Sequence, residues 1–377
     1  MNGGLNVVAG GNGSVTNDSD GVTATTTANG NAVLASAVGV DMAITSNQTM
    51  AGNTIATTTV NSTTGLGPST QINTTAINNS ADVSTTQATM TGVITQIATA
   101  SPTVTAQGFL EAPTATAGDV SMTTTAASNS TSLGLTNGSA GIRVNQSSGA
   151  DVLADGGATV QYVSGTAEVF GAAAGNNVTL VGTDTSAARI AVSQTNTGGL
   201  VQASQFTAYG NAQTASTSAT AAGNIIAAEN QGPLLDVASN QYNEAYVRAQ
   251  AEGSSYQFGA GYATAYGVGN SVSAGNSGEA VVLDSVQLNN GGGVEAIASF
   301  SGQEGYDAYS RATAVGNDAT AYSCASCTGT MSVNSRQTNN ADVGATSSTT
   351  IGTGRLVNSS STAIGNNASF YVTRPGS

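Results

Sequence analysis

Carboxylates are the groups through which this chain could do chemistry. It holds 21 Asp and Glu residues and no His. All seven of its basic side chains are Arg, the first at Arg143. Without His or Lys, neither a Ser–His–Asp triad nor a Schiff-base amine can be assembled. Two carboxylates flanking a glycosidic bond can still hydrolyse it. The nearest pairs in sequence are Asp151 with Asp155 and Glu304 with Asp307. Neither pair lies in a distinctive motif, and acidic residues scattered singly read as a solvated, solubilising face. Calcium would need dense Asp/Asn/Gly loops, and the glycine-rich nonapeptide calcium pattern is absent. The run Asn289-Asn290-Gly291-Gly292-Gly293 reads as a corner. The sequence therefore implies no catalytic residue, cofactor or metal.

The two cysteines form Cys324-Ala325-Ser326-Cys327. Such a spacing serves redox chemistry or half a zinc site. Zinc needs two further Cys or His ligands, which the chain lacks, and no βαβ context for a thioredoxin-type motif is apparent. A local structural disulfide is the expected role, which fits an oxidising compartment.

The elements that must position these groups are β-strands. Only 7% of residues are charged, against about 25% in ordinary domains. Gly, Ala, Ser, Thr and Asn fill the gap. Pro is rare at five residues, whereas disorder usually brings abundant Pro, Lys and Glu. Short alternating runs such as Thr54-Ile55-Ala56-Thr57-Thr58-Thr59-Val60 suit strands, and no long stretch has a helical apolar period. The Thr-rich run from Thr23 to Thr27 suggests an ice-binding face, but no regular Thr-x-Thr rung period accompanies it.

Self-comparison reveals a repeat. The motif Thr-Ala-x-Gly-Asn-x-(Ala/Val) centres on Asn31, Asn176, Asn224, Asn270, Asn317 and Asn366, with degenerate copies lacking the Gly at Asn79 and Asn129. These eight Asn are spaced by 48, 50, 47, 48, 46, 47 and 49 residues. A second marker, Gln-x-Asn-x(4)-Val-x-Ala, is clearest at Gln241 and Gln287. It runs in step through Gln48, Gln96, Gln146, Gln194, Gln241, Gln287 and Gln337. An aromatic residue tends to follow the Gln, at Phe109, Tyr162, Phe206, Tyr256 and Phe300.

Small residues with periodic Asn and Gly predict an all-β parallel β-solenoid of about eight repeats of roughly 48 residues, each coil burying the apolar face of the next. Recurring Asn at one corner would form a hydrogen-bonded ladder. At roughly 4.8 Å per rung, two rungs per repeat give a rod on the order of 75 Å and three give about 115 Å. An eight-bladed propeller shares the period but normally needs bulky residues, and Trp is absent. A curli-type stacked sheet is a further option. Residues 1–150 are Thr-rich, Tyr-free and carry the degenerate repeats, while 151–377 hold all eleven Tyr. The two are read as parts of one continuous array. Tyr242, Tyr246, Tyr256, Tyr262 and Tyr266 are candidate surface contacts, or seals on the sides of the rod.

The net charge of −14 argues against nucleic acid, which needs clustered Arg and Lys. No apolar stretch approaches the roughly 20 residues of a membrane helix, so direct membrane insertion is not expected. The chain opens on Met1-Asn2-Gly3-Gly4, with no basic and apolar leader. It reads as a mature start with an initiator Met, and export is inferred from composition.

Two resemblances follow from these motifs. Ser361-Thr362-Ala363-Ile364-Gly365-Asn366-Asn367-Ala368-Ser369 resembles, over about ten residues, the head repeat of trimeric autotransporter adhesins. That family repeats every 14 or so residues, and this chain does not. The Gln-x-Asn/Val-x-Ala and Ala-Thr-Ala-x-Gly-Asn markers and the Lys-poor texture resemble, across essentially all repeats, the holdfast anchor protein D family of stalked alphaproteobacteria. That resemblance implies an outer-membrane-associated, exported, non-enzymatic surface protein. It would tie an extracellular polysaccharide adhesive to the cell pole together with other envelope anchor proteins. Two alternatives stand beside it: a self-assembling fibre or surface-layer subunit, and a polysaccharide-degrading β-helix enzyme.

Overall fold

A computed structural model describes the chain except for Gly4, 17–19, Ser101, 324–328 and 373–377. Cys324 and Cys327 thus lie outside the described residues. The described residues form strands and turns and no helix. The strands pair in parallel, each with its counterpart one repeat away: Gln146 pairs with Gln96 and Gln194, and Asn176 pairs with Asn129 and Asn224. The fold is a parallel β-solenoid. The same pairing corrects both expected rod lengths. Each repeat makes one coil of the stack, not two or three rungs, so seven steps between eight coils give a height of roughly 34 Å. A short strand of 10 residues such as Ala187–Asn196 itself spans roughly 33 Å. The molecule is therefore about as broad as it is tall.

Each of coils 1 to 7 contributes one long element and one short strand. In coils 4 to 7 the long elements are Asp151–Thr183, Leu200–Asn230, Tyr246–Asn276 and Val294–Ser323. The short strands of these coils are Ala187–Asn196, Leu234–Asn243, Ala280–Asn289 and Thr330–Asn339. In coils 1 to 3 the long element is split in two, as in Thr54–Ser62 and Ser69–Thr86 of coil 2. Coil 8 is split likewise, into Val343–Thr353 and Leu356–Val372. Pairing is continuous across residue 150: Thr103–Ala117 pairs with Asp151–Thr183, and Ser139–Ser148 with Ala187–Asn196.

The long element changes direction twice. In coil 4 the register slips between Val163 and Thr166. Further on, Gly175 and Asn176 are both buried, so the in–out alternation changes phase there. The interior is accordingly divided. One apolar core, with Val152, Val160, Val169 and Ala173, fills the space inside the first bend. A second, with Val178, Leu180, Ile190 and Val192, lies between the last part of the long element and the short strand. Side chains are small because facing walls are close. The few large ones need compensating glycines: a Cβ on Gly261 would lie 2.1 Å from the Phe300 ring.

Candidate functional site

Amide side chains occupy the seam between the two cores. Asn31, Asn79, Asn129, Asn176, Asn224, Asn270, Asn317 and Asn366 form one row, in which each Nδ2 donates to the Oδ1 of the next at 2.7–2.9 Å. The second N–H of Asn224 donates to the Tyr242 carbonyl at 2.9 Å, on the short strand of the same coil. The Gln row runs with opposite polarity: Gln194 donates to Gln146 at 2.9 Å and Gln241 to Gln194 at 2.9 Å. The second N–H of Gln241 donates to the Ser271 carbonyl at 2.8 Å, on the long element of the following coil. The two rows thus cross-brace the walls, and amides such as Asn224 and Gln241 use both protons, so their burial costs little. A third row, Asn196, Asn243, Asn289 and Asn339, is confined to coils 4 to 7.

The third row explains the Gly of the repeat motif in coils 4 to 7. A Cβ on Gly223 would lie 2.3 Å from Asn243 Oδ1 and 2.5 Å from the Gly269 carbonyl. Gly175, Gly269 and Gly316 meet Asn196, Asn289 and Asn339 in the same way. The degenerate copies place Asn78 and Ser128 at this position. The short-strand residue at the third-row position is Ala98 and Ser148 in those coils. Where the facing residue shrinks, the glycine requirement is relaxed.

The carboxylate pairs are committed elsewhere. Asp307 accepts Arg355 Nε at 3.0 Å, and this guanidinium holds its carboxyl below the usual range. Glu304 accepts Gln257 Nε2 at 3.0 Å, and Asp151 accepts the Leu200 backbone N–H at 2.9 Å. Burial pushes the Asp155 carboxyl up against a lowering hydrogen bond from Gln107. A carboxyl held ionised by Arg is poorly suited to donate a proton.

The five candidate tyrosines are distributed over different sides of the coil. Tyr242 lies on a short strand, with its hydroxyl on the Glu244 carboxylate. Tyr246 opens a long element and donates to Glu295 Oε2 at 2.5 Å. Burial, reinforced by Glu295, pushes its hydroxyl up to about 12. Tyr256 is 58% exposed near the first bend. Tyr262 stacks on Tyr309 of the next coil, with centroids 5.2 Å apart and planes at 4°. Tyr266 packs against Ala222, Val268 and Val315, and burial followed by Asp318 pushes it up to about 12. The aromatic trend likewise splits: Phe300 is buried at 1%, while Phe206 is 51% exposed.

A groove runs along the stack at the first bend, unremarked in the sequence reading. Its volume is about 730 Å³ through coils 4 to 8. One lip is the column Tyr162, Asn211, Gln257, Glu304 and Thr353, joined in register. Ser164, Gln213, Gly259 and Tyr306 line the other side. A second hollow of about 570 Å³, from Gly65 and Pro68 through Thr116, shares Tyr162 and Ser164 and extends the groove to coil 2. The available signal was the recurrence of polar side chains one repeat apart in this column, hidden because the bend breaks the strand alternation.

Comparison with known proteins gives one assignment. No curated protein and no solved structure matches the chain. The family model described as holdfast attachment protein D matches residues 16–293, from the end of the first strand of coil 1 to the last residue before coil 7. A match over most of the chain places this chain in the holdfast attachment protein D family.

Proposed function

We propose that the protein is a non-enzymatic element of the cell surface that ties an extracellular polysaccharide adhesive to the bacterial outer membrane, acting with other envelope anchor proteins. The observation that carries this reading is the family match over residues 16–293. The fold supports it. Consecutive coils are joined by backbone hydrogen bonds around most of their perimeter and by buried amide rows. A load applied to one coil is thereby shared over many bonds to the next. The chain offers no His or Lys, and the ion pair of Asp307 with Arg355 occupies one of its few carboxylate pairs. Among the described residues no helix is long and apolar enough to cross a membrane.

The test is deletion of the gene in the source bacterium, followed by staining of extracellular polysaccharide on washed cells and in the medium. Intact polymer released to the medium is the expected result. Polymer retained at the wild-type level overturns the anchoring role, and release of shortened chains only when the protein is present points to a degrading enzyme instead.

A further inference from the structure

We infer that the groove at the first bend is a binding site for a polysaccharide strand laid parallel to the stack axis, selective for uncharged or amino-bearing sugars; this rests on the anchoring role proposed above. Tyr162 and Tyr306 line it three coils apart, 45% and 66% exposed. Three coil steps are roughly 14 Å, room for a short run of sugar rings between two aromatic faces. Between the tyrosines the lips present Asn211, Gln213 and Gln257, neutral amides that both donate to and accept from hydroxyl and acetamido groups. Aromatic platforms with a few placed polar groups are the usual means of holding an amphipathic, weakly charged ligand.

Several features show that the groove is built into the fold. Phe258 forms its floor, 5% exposed and packed edge-on against Phe300 at 5.0 Å. Gly305 is required beside it, because a Cβ there would lie 2.3 Å from the Phe258 ring. Gly259 leaves the groove open, and a Cβ there would meet the Gln213 carbonyl at 2.6 Å. Gln257 is oriented by its bond to Glu304 at 3.0 Å.

Charge and backbone chemistry select the ligand class. Glu304 is the one carboxylate among the described lining residues, and no Arg lines the groove. A polyanion is therefore disfavoured, and an amino sugar finds an acidic partner. An extended peptide would need free backbone groups to join as a strand. Those of the lip formed by Tyr162, Asn211, Gln257 and Glu304 already pair between coils. A glycan requires only side chains.

The experiment is calorimetric titration of the full chain with hexamers of N-acetylglucosamine, glucosamine and galacturonic acid. At least one of the first two binds, and galacturonate does not. Tyr162→Ala and Tyr306→Ala each weaken binding about tenfold, the double variant loses it, and Phe206→Ala, on an exposed ring outside the groove, binds as wild type. Both tyrosines are exposed, so the variants fold, which circular dichroism checks. Three results overturn the site: absence of binding to all three sugars, undiminished binding by the double variant, or binding of galacturonate alone. The double variant returned to the deletion strain separates the two claims. If deletion releases the polymer and the double variant retains it, the groove assignment fails and the anchoring role stands. If deletion releases nothing, the anchoring role fails whatever the titration gives.

Discussion

Replacing Asn224 by Ala tests whether the amide row holds the coils together. Asn224 is fully buried at mid-stack. It accepts from Asn176 at 2.8 Å, donates to Asn270 at 2.7 Å and donates to the Tyr242 carbonyl at 2.9 Å. Alanine supplies none of these bonds and leaves three buried polar groups short of a partner. At about 1–2 kcal/mol for each orphaned group, the loss is about 3–6 kcal/mol. The matched control is Asn366→Ala. Asn366 is exposed in coil 8 and accepts one bond, from Asn317 at 2.8 Å, so its loss costs about 1 kcal/mol. The assay is urea unfolding followed by circular dichroism, with amide hydrogen exchange to locate the weakened coils, because nearest-neighbour coupling makes the loss local to coils 4 to 6. Equal effects of the two substitutions, or a loss below about 1 kcal/mol for Asn224→Ala, would refute the reasoning. The row would then be a by-product of stacking identical residues.

Gly223→Ala places a methyl 2.3 Å from Asn243 Oδ1 and 2.5 Å from the Gly269 carbonyl. The forced separation costs about 1–3 kcal/mol in thermal or urea unfolding. Phe300→Ala removes the largest fully buried side chain and its edge contact with Phe258, at about 3–5 kcal/mol in the same measurement. Asp155 is partly buried, and desolvation raises its carboxyl above the ordinary value. The folded state therefore disfavours its charged form. That penalty is full at neutral pH, falls as pH drops through the folded value, and is gone below about pH 4, the unfolded value. Asp155→Asn accordingly stabilises the protein at pH 7, and the gap to wild type closes in acid, as read by denaturant midpoints across pH.

The repeat and the all-β class were legible in the sequence because a stack of equivalent coils puts the same residue in the same environment every time. Asn224 and Gln241 recur at the repeat interval because each has its copy as a bonding partner. The number of rungs per repeat was not legible. Bends at Val163–Thr166 and Gly175–Asn176 fold one 33-residue strand around the core, and their Ser164-Gly165 and Gly175-Asn176 pairs mark corners without saying that the chain stays in one coil across them. Counting strands from local pattern therefore gave a rod two to three times too long. The carboxylates were visible, but their partners lie about a repeat away: Asp307 meets Arg355 only through coil 8. The reason for Gly223 was likewise hidden, since it is the Asn243 side chain arriving from the short strand. The groove exists only in three dimensions. Tyr162 and Tyr306 are far apart in sequence and share a surface because stacking turns a separation of three repeats into three short steps. Sequence alone determined which residues repeat, since repetition is written in the chain. The tertiary structure decided what each repeated residue faces, since that depends on where the chain bends and which wall comes back to meet it.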